Sequence, residues 1–134
     1  MTPQAIHLRA DFAELPYLAE WVRARAPEFA MEERQLYAIQ LCLEEVMANL
    51  VMHARPGAGA EIAVTVRLEA EPLRVTVEDD AIPFDPEAMQ SPPPATSLEE
   101  AMPGGLGLAL VRNFSLWRDY VREPGRNRLV MGFA

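Results

Sequence analysis

Apolar residues recur along this chain with two periods, one of two residues and one of a helical turn, and the switches between them mark out its elements. Residues 4–10 alternate well enough to predict a short first strand. A helix follows, entered at Pro16, because proline is tolerated in a first turn but not in an interior; Pro27 ends it. Leu18, Trp21 and Val22 form its apolar stripe. A second helix is expected over 32–54. It opens on Glu32 and Glu33, which suit the positive end of the helix dipole, although no good N-cap residue stands there. At ~100° per residue, Leu36, Ile39, Leu43, Val46, Met47, Leu50 and Ala54 share its apolar face.

The turn at 56–60 hands over to period two. Ile62, Val64, Val66 and Leu68 alternate with polar or small residues, and so do Leu73, Val75 and Val77 beyond Glu71-Pro72. Two such segments in succession predict a hairpin with one face on the core. Residues 86–103 contain five prolines and no sustained period, and read as a long loop. A glycine-rich stretch then turns into a third helix over 104–114, with Leu106, Leu110, Val111 and Phe114 on its apolar stripe. Strands at about 118–123 and 128–133 close the chain around the turn Pro124-Gly125-Arg126-Asn127. Strands outnumber helices and most connections are hairpins. The expected fold is therefore an α/β two-layer sandwich, a mixed and mostly antiparallel sheet with helices on one face.

Composition narrows the function classes. A length of 134 residues suits one domain, expected to span 1–134, and an apolar half excludes wholesale disorder. No apolar stretch approaches the ~20 residues of a bilayer span. The start lacks the pattern of a signal peptide, so a cytoplasmic protein is expected, without a membrane partner. The lone Cys42 cannot form an internal disulfide, and reads as a small core residue beside Met47, Met52 and Trp21. Two histidines, His7 and His53, do not make a zinc site. A net charge of −8 with dispersed arginines leaves no electrostatic footprint for direct nucleic-acid binding.

Three features carry candidate chemistry. Glu45, Asn49 and His53 lie one turn apart on a stripe beside the apolar face of the second helix, with the small Ala38 and Cys42 on the same side. The plainer reading is a solvated polar edge; the sharper one is the border of a cavity. A buried, hydrogen-bonded structural role suits His53 best, and Trp117 reads as either core or interface. The predicted strand ending in Asp79-Asp80 runs into Ala81-Ile82-Pro83-Phe84-Asp85, where an acid beside a pocket can accept a hydrogen bond from a ligand amine. Taken alone, such a segment is more often just a turn. Gly104, Gly105 and Gly107 open a helix, presenting free N–H groups that suit phosphate, but without the Gly-Lys-Ser/Thr of a P-loop.

In this order the three features resemble the Bergerat-type ATPases, and among them the small anti-sigma-factor serine kinases. Glu45-Val-Met-Ala-Asn49 with His53-Ala54 is similar to the N-box of that superfamily, and residues 79–85 to its first glycine box. Gly104-Gly105-Leu106-Gly107-Leu108 is similar to the second, and Gly125-Arg126-Asn127-Arg128-Leu129 to the closing strand. The resemblance implies ATP and Mg²⁺ as cofactors. Asn49 would bind Mg²⁺ and Glu45 would act as general base. Asp79 would accept from the adenine amino group, with His53, Ala81 and Phe84 completing the nucleotide site. Gly104, Gly105, Leu106, Gly107 and Leu108 would wrap the phosphates, under a lid at 86–103. The implied function is a serine/threonine-protein kinase acting on a small antagonist protein by partner switching, with a sigma factor as competing partner; a homodimer is compatible. Half of a two-component histidine kinase fits less well, since no helix offers a phospho-acceptor histidine. Ala81 stands where the superfamily normally has glycine. If that position takes a positive φ, alanine there costs ~1 kcal/mol or more, and its methyl group crowds the adenine. The alternative function is then a non-catalytic docking module with weak or lost nucleotide binding.

Overall fold

In a computed structural model of the protein, residues 2–57, 59, 61–83, 111 and 114–134 are placed well enough to describe. Five strands, β1 (Gln4–Arg9), β2 (Ala63–Glu69), β3 (Arg74–Asp79), β4 (Trp117–Glu123) and β5 (Arg126–Gly132), form one sheet in the order β1-β2-β3-β5-β4. Every pairing is antiparallel, so the mixed sheet expected from sequence is antiparallel throughout the described residues. Helices α1 (Leu15–Arg25) and α2 (Glu33–His53) supply the second layer.

Local chemistry explains the helix boundaries. The Asp11 carboxylate accepts from the Ala13 amide at 2.9 Å and starts a single 3₁₀ turn, which leads into α1 with Pro16 in its first turn. At the start of α2 the missing cap is found in Gln35. Its side-chain oxygen accepts from the Glu32 amide at 2.8 Å, and its amide nitrogen donates to the carbonyl of Ala134. One glutamine thus closes the helix end and ties it to the segment after β5. Gln40 donates to the Ala19 carbonyl at 3.1 Å and joins the two helices.

Register aligns the inward side chains in rows across the sheet. Val66 faces Val77, which faces Leu129; one step along, Leu68 faces Val75, which faces Met131. Both rows are buried against Leu18 and Val22 of α1 and against Leu36, Ile39, Leu43, Val46 and Met47 of α2. Met52, expected in the core, is 49 % exposed, while Trp21 is partly buried at the core's edge. The outer face of the sheet carries ion pairs instead, with Glu78 held by Arg67 and Arg126. Trp117 belongs to that outer face. It is 41 % exposed and its indole lies across Gly132, in the space that a Cβ there would occupy.

Candidate functional site

The polar stripe of α2 is not a solvated edge. Glu45 is 5 % exposed and Asn49 1 %, at i and i+4 on the helix, with the small Ala38 and Cys42 beside them also buried. Helical periodicity places these residues next to the apolar face, but only packing decides that this side of the helix is covered. His53, the last residue of α2, is half-buried, short of the buried position expected for it. Burial, reinforced by the nearby charge of Glu45, pushes the Cys42 thiol up to about 11, so it is no activated nucleophile. The Oδ1 atom of Asn49 is buried with no hydrogen-bond partner among the described residues. Leaving a buried acceptor unmet typically costs about 1–3 kcal/mol, and an amide oxygen is a hard donor that suits Mg²⁺. Among the described residues no group of three histidine, cysteine or acidic side chains converges on a metal position. Asn49 is thus the residue whose chemistry fits the ion.

One row along the sheet from Val66, Val77 and Leu129, the inward positions turn polar. Val64 faces Asp79, Asp79 faces Asn127, and Asn127 faces Arg122. Asp79 Oδ1 accepts from the Ala81 amide at 3.0 Å and from Asn127 Nδ2 at 2.8 Å. Burial pushes the Asp79 carboxyl above the usual carboxylate range, and the Asn127 and Ala81 bonds and the Arg122 charge oppose that rise. Asp80 faces the other way and accepts from the Ala63 amide at 2.8 Å. The Ile82 amide donates to the Arg55 carbonyl at 3.0 Å, and Pro56 bridges Ala81, so the chain leaving α2 lies along the turn after Asp79. A side chain at Gly57 would meet the Asp80 carbonyl at 2.9 Å, which explains glycine at that crossing. Ala81 is 1 % exposed. Positive φ among the described residues is confined to Ala30, Glu71 and Gly125, so the strain expected at Ala81 does not arise.

Val46 and Leu50 of α2 close over this row with Val77, Asp79, Tyr120, Asn127 and Leu129, enclosing about 20 Å³, room for a single water. The cavity is apolar except for the Asp79 carboxylate, the Asn127 amide and the Tyr120 phenol. An apolar wall with one buried carboxylate can meet a flat apolar face that carries a donor, but the void as it stands is far smaller than a nucleobase. It brings Asp79 together with the helix turns that carry Glu45 and Asn49, although those two side chains and His53 are not part of its wall. Phe84, the 86–103 segment, Gly104, Gly105, Leu106, Gly107 and Leu108 lie outside the described residues.

The three residues to which the resemblance gives roles on these elements, Glu45, Asn49 and Asp79, are all buried. Residues 8–133 match the histidine kinase-like ATPase domain family. The chain belongs to that family. It is 35 % identical over 112 residues to the serine/threonine-protein kinase BtrW of Bordetella bronchiseptica, covering 83 % of this chain and 79 % of that protein. It also superposes on the crystal structure of the RsbU and RsbW domains of a Mycobacterium tuberculosis protein. That match has a TM-score of 0.63 at 17 % identity and covers 99 % of this chain but 32 % of the solved one. At that identity the likeness speaks to fold alone, an α/β sandwich. Among the described residues of this ATPase domain, no helix is long and apolar enough to cross a membrane.

Sequence reasoning misses four residues packed around Asp79 and the turn after it. Asn127, Arg122, Tyr120 and Gly57 receive no role from it, although Asn127 stands in the matching closing segment. The only way to see Asn127 beside Asp79 is the β3–β5 register, which pairs residues 48 positions apart.

Proposed function

We propose that this ATPase domain is a serine/threonine-protein kinase of the anti-sigma type, using ATP and Mg²⁺ to phosphorylate a hydroxyl of a small antagonist protein. One observation carries the reading. Glu45 and Asn49 are buried one turn apart on α2, and the Asn49 amide oxygen meets no donor among the described residues. A structural helix face seldom keeps such an atom, whereas a cation-binding one needs it. Kinship with a named serine/threonine kinase supports the chemistry.

Bound Mg²⁺ would neutralise phosphate charge, held on the protein side by Asn49 Oδ1. Glu45 takes the proton of the attacking serine or threonine hydroxyl. That oxygen bonds to the γ-phosphorus as the bond to the bridging oxygen of ADP breaks. Asp79 accepts from the adenine amino group and selects the base. Phosphorylation would release the antagonist, and a sigma factor would compete for the freed surface in the cytoplasm, through one copy or a homodimer.

Single-turnover transfer from labelled ATP to a serine-bearing antagonist protein tests the reading. Label on the antagonist, abolished in Glu45→Ala, is the expected result. An antagonist that binds tightly but never acquires label would favour the docking-module alternative.

A further inference from the structure

Asn127 is 2 % exposed and sits at the centre of the polar row. Its amide nitrogen points at three acceptors: Asp79 Oδ1 at 2.8 Å, the Ile82 carbonyl at 3.0 Å and the Ala81 carbonyl at 3.4 Å. Its oxygen receives the Tyr120 hydroxyl at 2.5 Å and the Arg122 guanidinium at 3.3 Å. The reverse orientation would set an oxygen against a carboxylate and two carbonyls, so the surroundings dictate which way the amide faces. Arg122 also donates to the Ala81 carbonyl at 2.8 Å. The turn that follows Asp79 is therefore gripped from β4 and β5 by side chains, where its own sequence has alanine in place of glycine.

Both hydrogen bonds to the Asp79 carboxylate fall on Oδ1; Oδ2 takes part in none among the described residues. We propose that Asn127 is the positioning residue for the nucleobase. It holds Oδ1 of Asp79 and the 81–82 carbonyls, favouring the charged carboxylate and leaving its second oxygen available to a base amino group at the cavity wall. This rests on the nucleotide reading of the site given above and adds the residue that orients the selecting carboxylate. An ionised carboxylate accepts from the amino group of adenine, at the position where guanine carries a carbonyl.

The groups facing Asp79 give the expected pH behaviour its sign. Asp80 at its own strand end opposes ionisation and Arg122 on β4 favours it; Asn127 on β5 and the Ala81 amide donate to the charged form. Val64 opposite on β2 and Val46 and Leu50 of α2 are uncharged, and Tyr120 donates its hydroxyl to Asn127. Removing the Asn127 donor leaves the carboxylate less compensated, so protonation, and with it loss of adenine binding, sets in at higher pH.

The test is calorimetric titration of the full chain with ADP and with GDP across the range from about pH 5 to about pH 8. Asn127→Ala should bind ADP about tenfold more weakly near neutral pH. Its loss of affinity on acidification should begin at higher pH than in the unaltered protein, and its ADP-over-GDP preference should shrink. Tyr120→Phe, which keeps the ring and removes only the hydroxyl on Asn127 Oδ1, should shift the profile the same way by less. Should Asn127→Ala fail to fold, the Asp79 carboxyl-carbon titration followed by NMR in Tyr120→Phe without ligand decides the matter. Unchanged pH profiles and unchanged ADP-to-GDP ratios, even with weaker binding, would reduce Asn127 to a structural hub and leave the nucleotide reading intact. An unaltered chain that binds no ADP at any pH would overturn both.

Discussion

Two neighbouring rows of one sheet, about 7 Å apart along the same strands, are built on opposite terms. In the first, Val66, Val77 and Leu129 are apolar and buried beneath α2. In the second, the same strands contribute Val64, Asp79 and Asn127, with Arg122 beyond, and the contacts become hydrogen bonds. The first row needs only shape and hydrophobicity, and any volume-conserving set would serve. The second is specific about donors and acceptors, because each buried polar atom must find its complement or lose its hydration uncompensated. Asn49, on the helix above, marks the limit of that rule. Its oxygen is left unmet among the described residues, the observation on which its proposed role as a ligand to Mg²⁺ rests.

The sharpest way to break this contrast is to act on the polar side alone. Glu45→Ala should reduce phosphotransfer by ~10²–10⁴-fold in a labelled-ATP assay while nucleotide affinity stays within a few-fold. A parallel loss of binding would show that the acid is structural. On the apolar side, Met131→Ala, at a fully buried position of the row beyond, should cost about 2–5 kcal/mol in urea denaturation. ADP affinity measured well below the unfolding transition should not change. A smaller effect joins the two sides. Asn49→Leu removes the unmet oxygen at similar volume and should raise stability by about 1 kcal/mol, while Mg²⁺-dependent nucleotide binding disappears. Destabilisation of that size instead would mean that the oxygen has a partner when the protein is free in solution.

The last effect is one of pH. Because burial holds the Asp79 carboxyl above its ordinary value of 3.8, the folded protein keeps that proton at pH values where the unfolded chain has lost it. Its contribution to stability is complete below the unfolded value and is lost as pH rises through the folded one. Asp79→Asn retains an oxygen to accept from Asn127 and Ala81 but has no proton to lose. Its stability relative to the unaltered protein should therefore increase from about pH 4 to about pH 7, as followed by denaturant midpoints. A constant difference across that range would place the Asp79 carboxyl at its ordinary value.

By itself the sequence determined the elements and their order. Period two and helical period put β1, both helices and the β2–β3 hairpin within a residue or two of where they lie, because local patterning reports which side of an element meets the core. It also determined the chemistry on offer, with Glu45, Asn49 and Asp79 at motif spacing. What it left open was burial and partnership. Glu45 and Asn49 sit beside the apolar stripe of α2, and periodicity cannot say whether that flank is covered; Met52 on the same helix is exposed. Likewise a family's glycine is a poor guide to Ala81, whose φ is not positive and whose carbonyl is held by side chains from β4 and β5. The pairing of Asp79 with Asn127 belongs wholly to tertiary structure. A hydrogen bond between residues 48 positions apart depends on strand register, and register is settled by the whole sheet burying its apolar rows together.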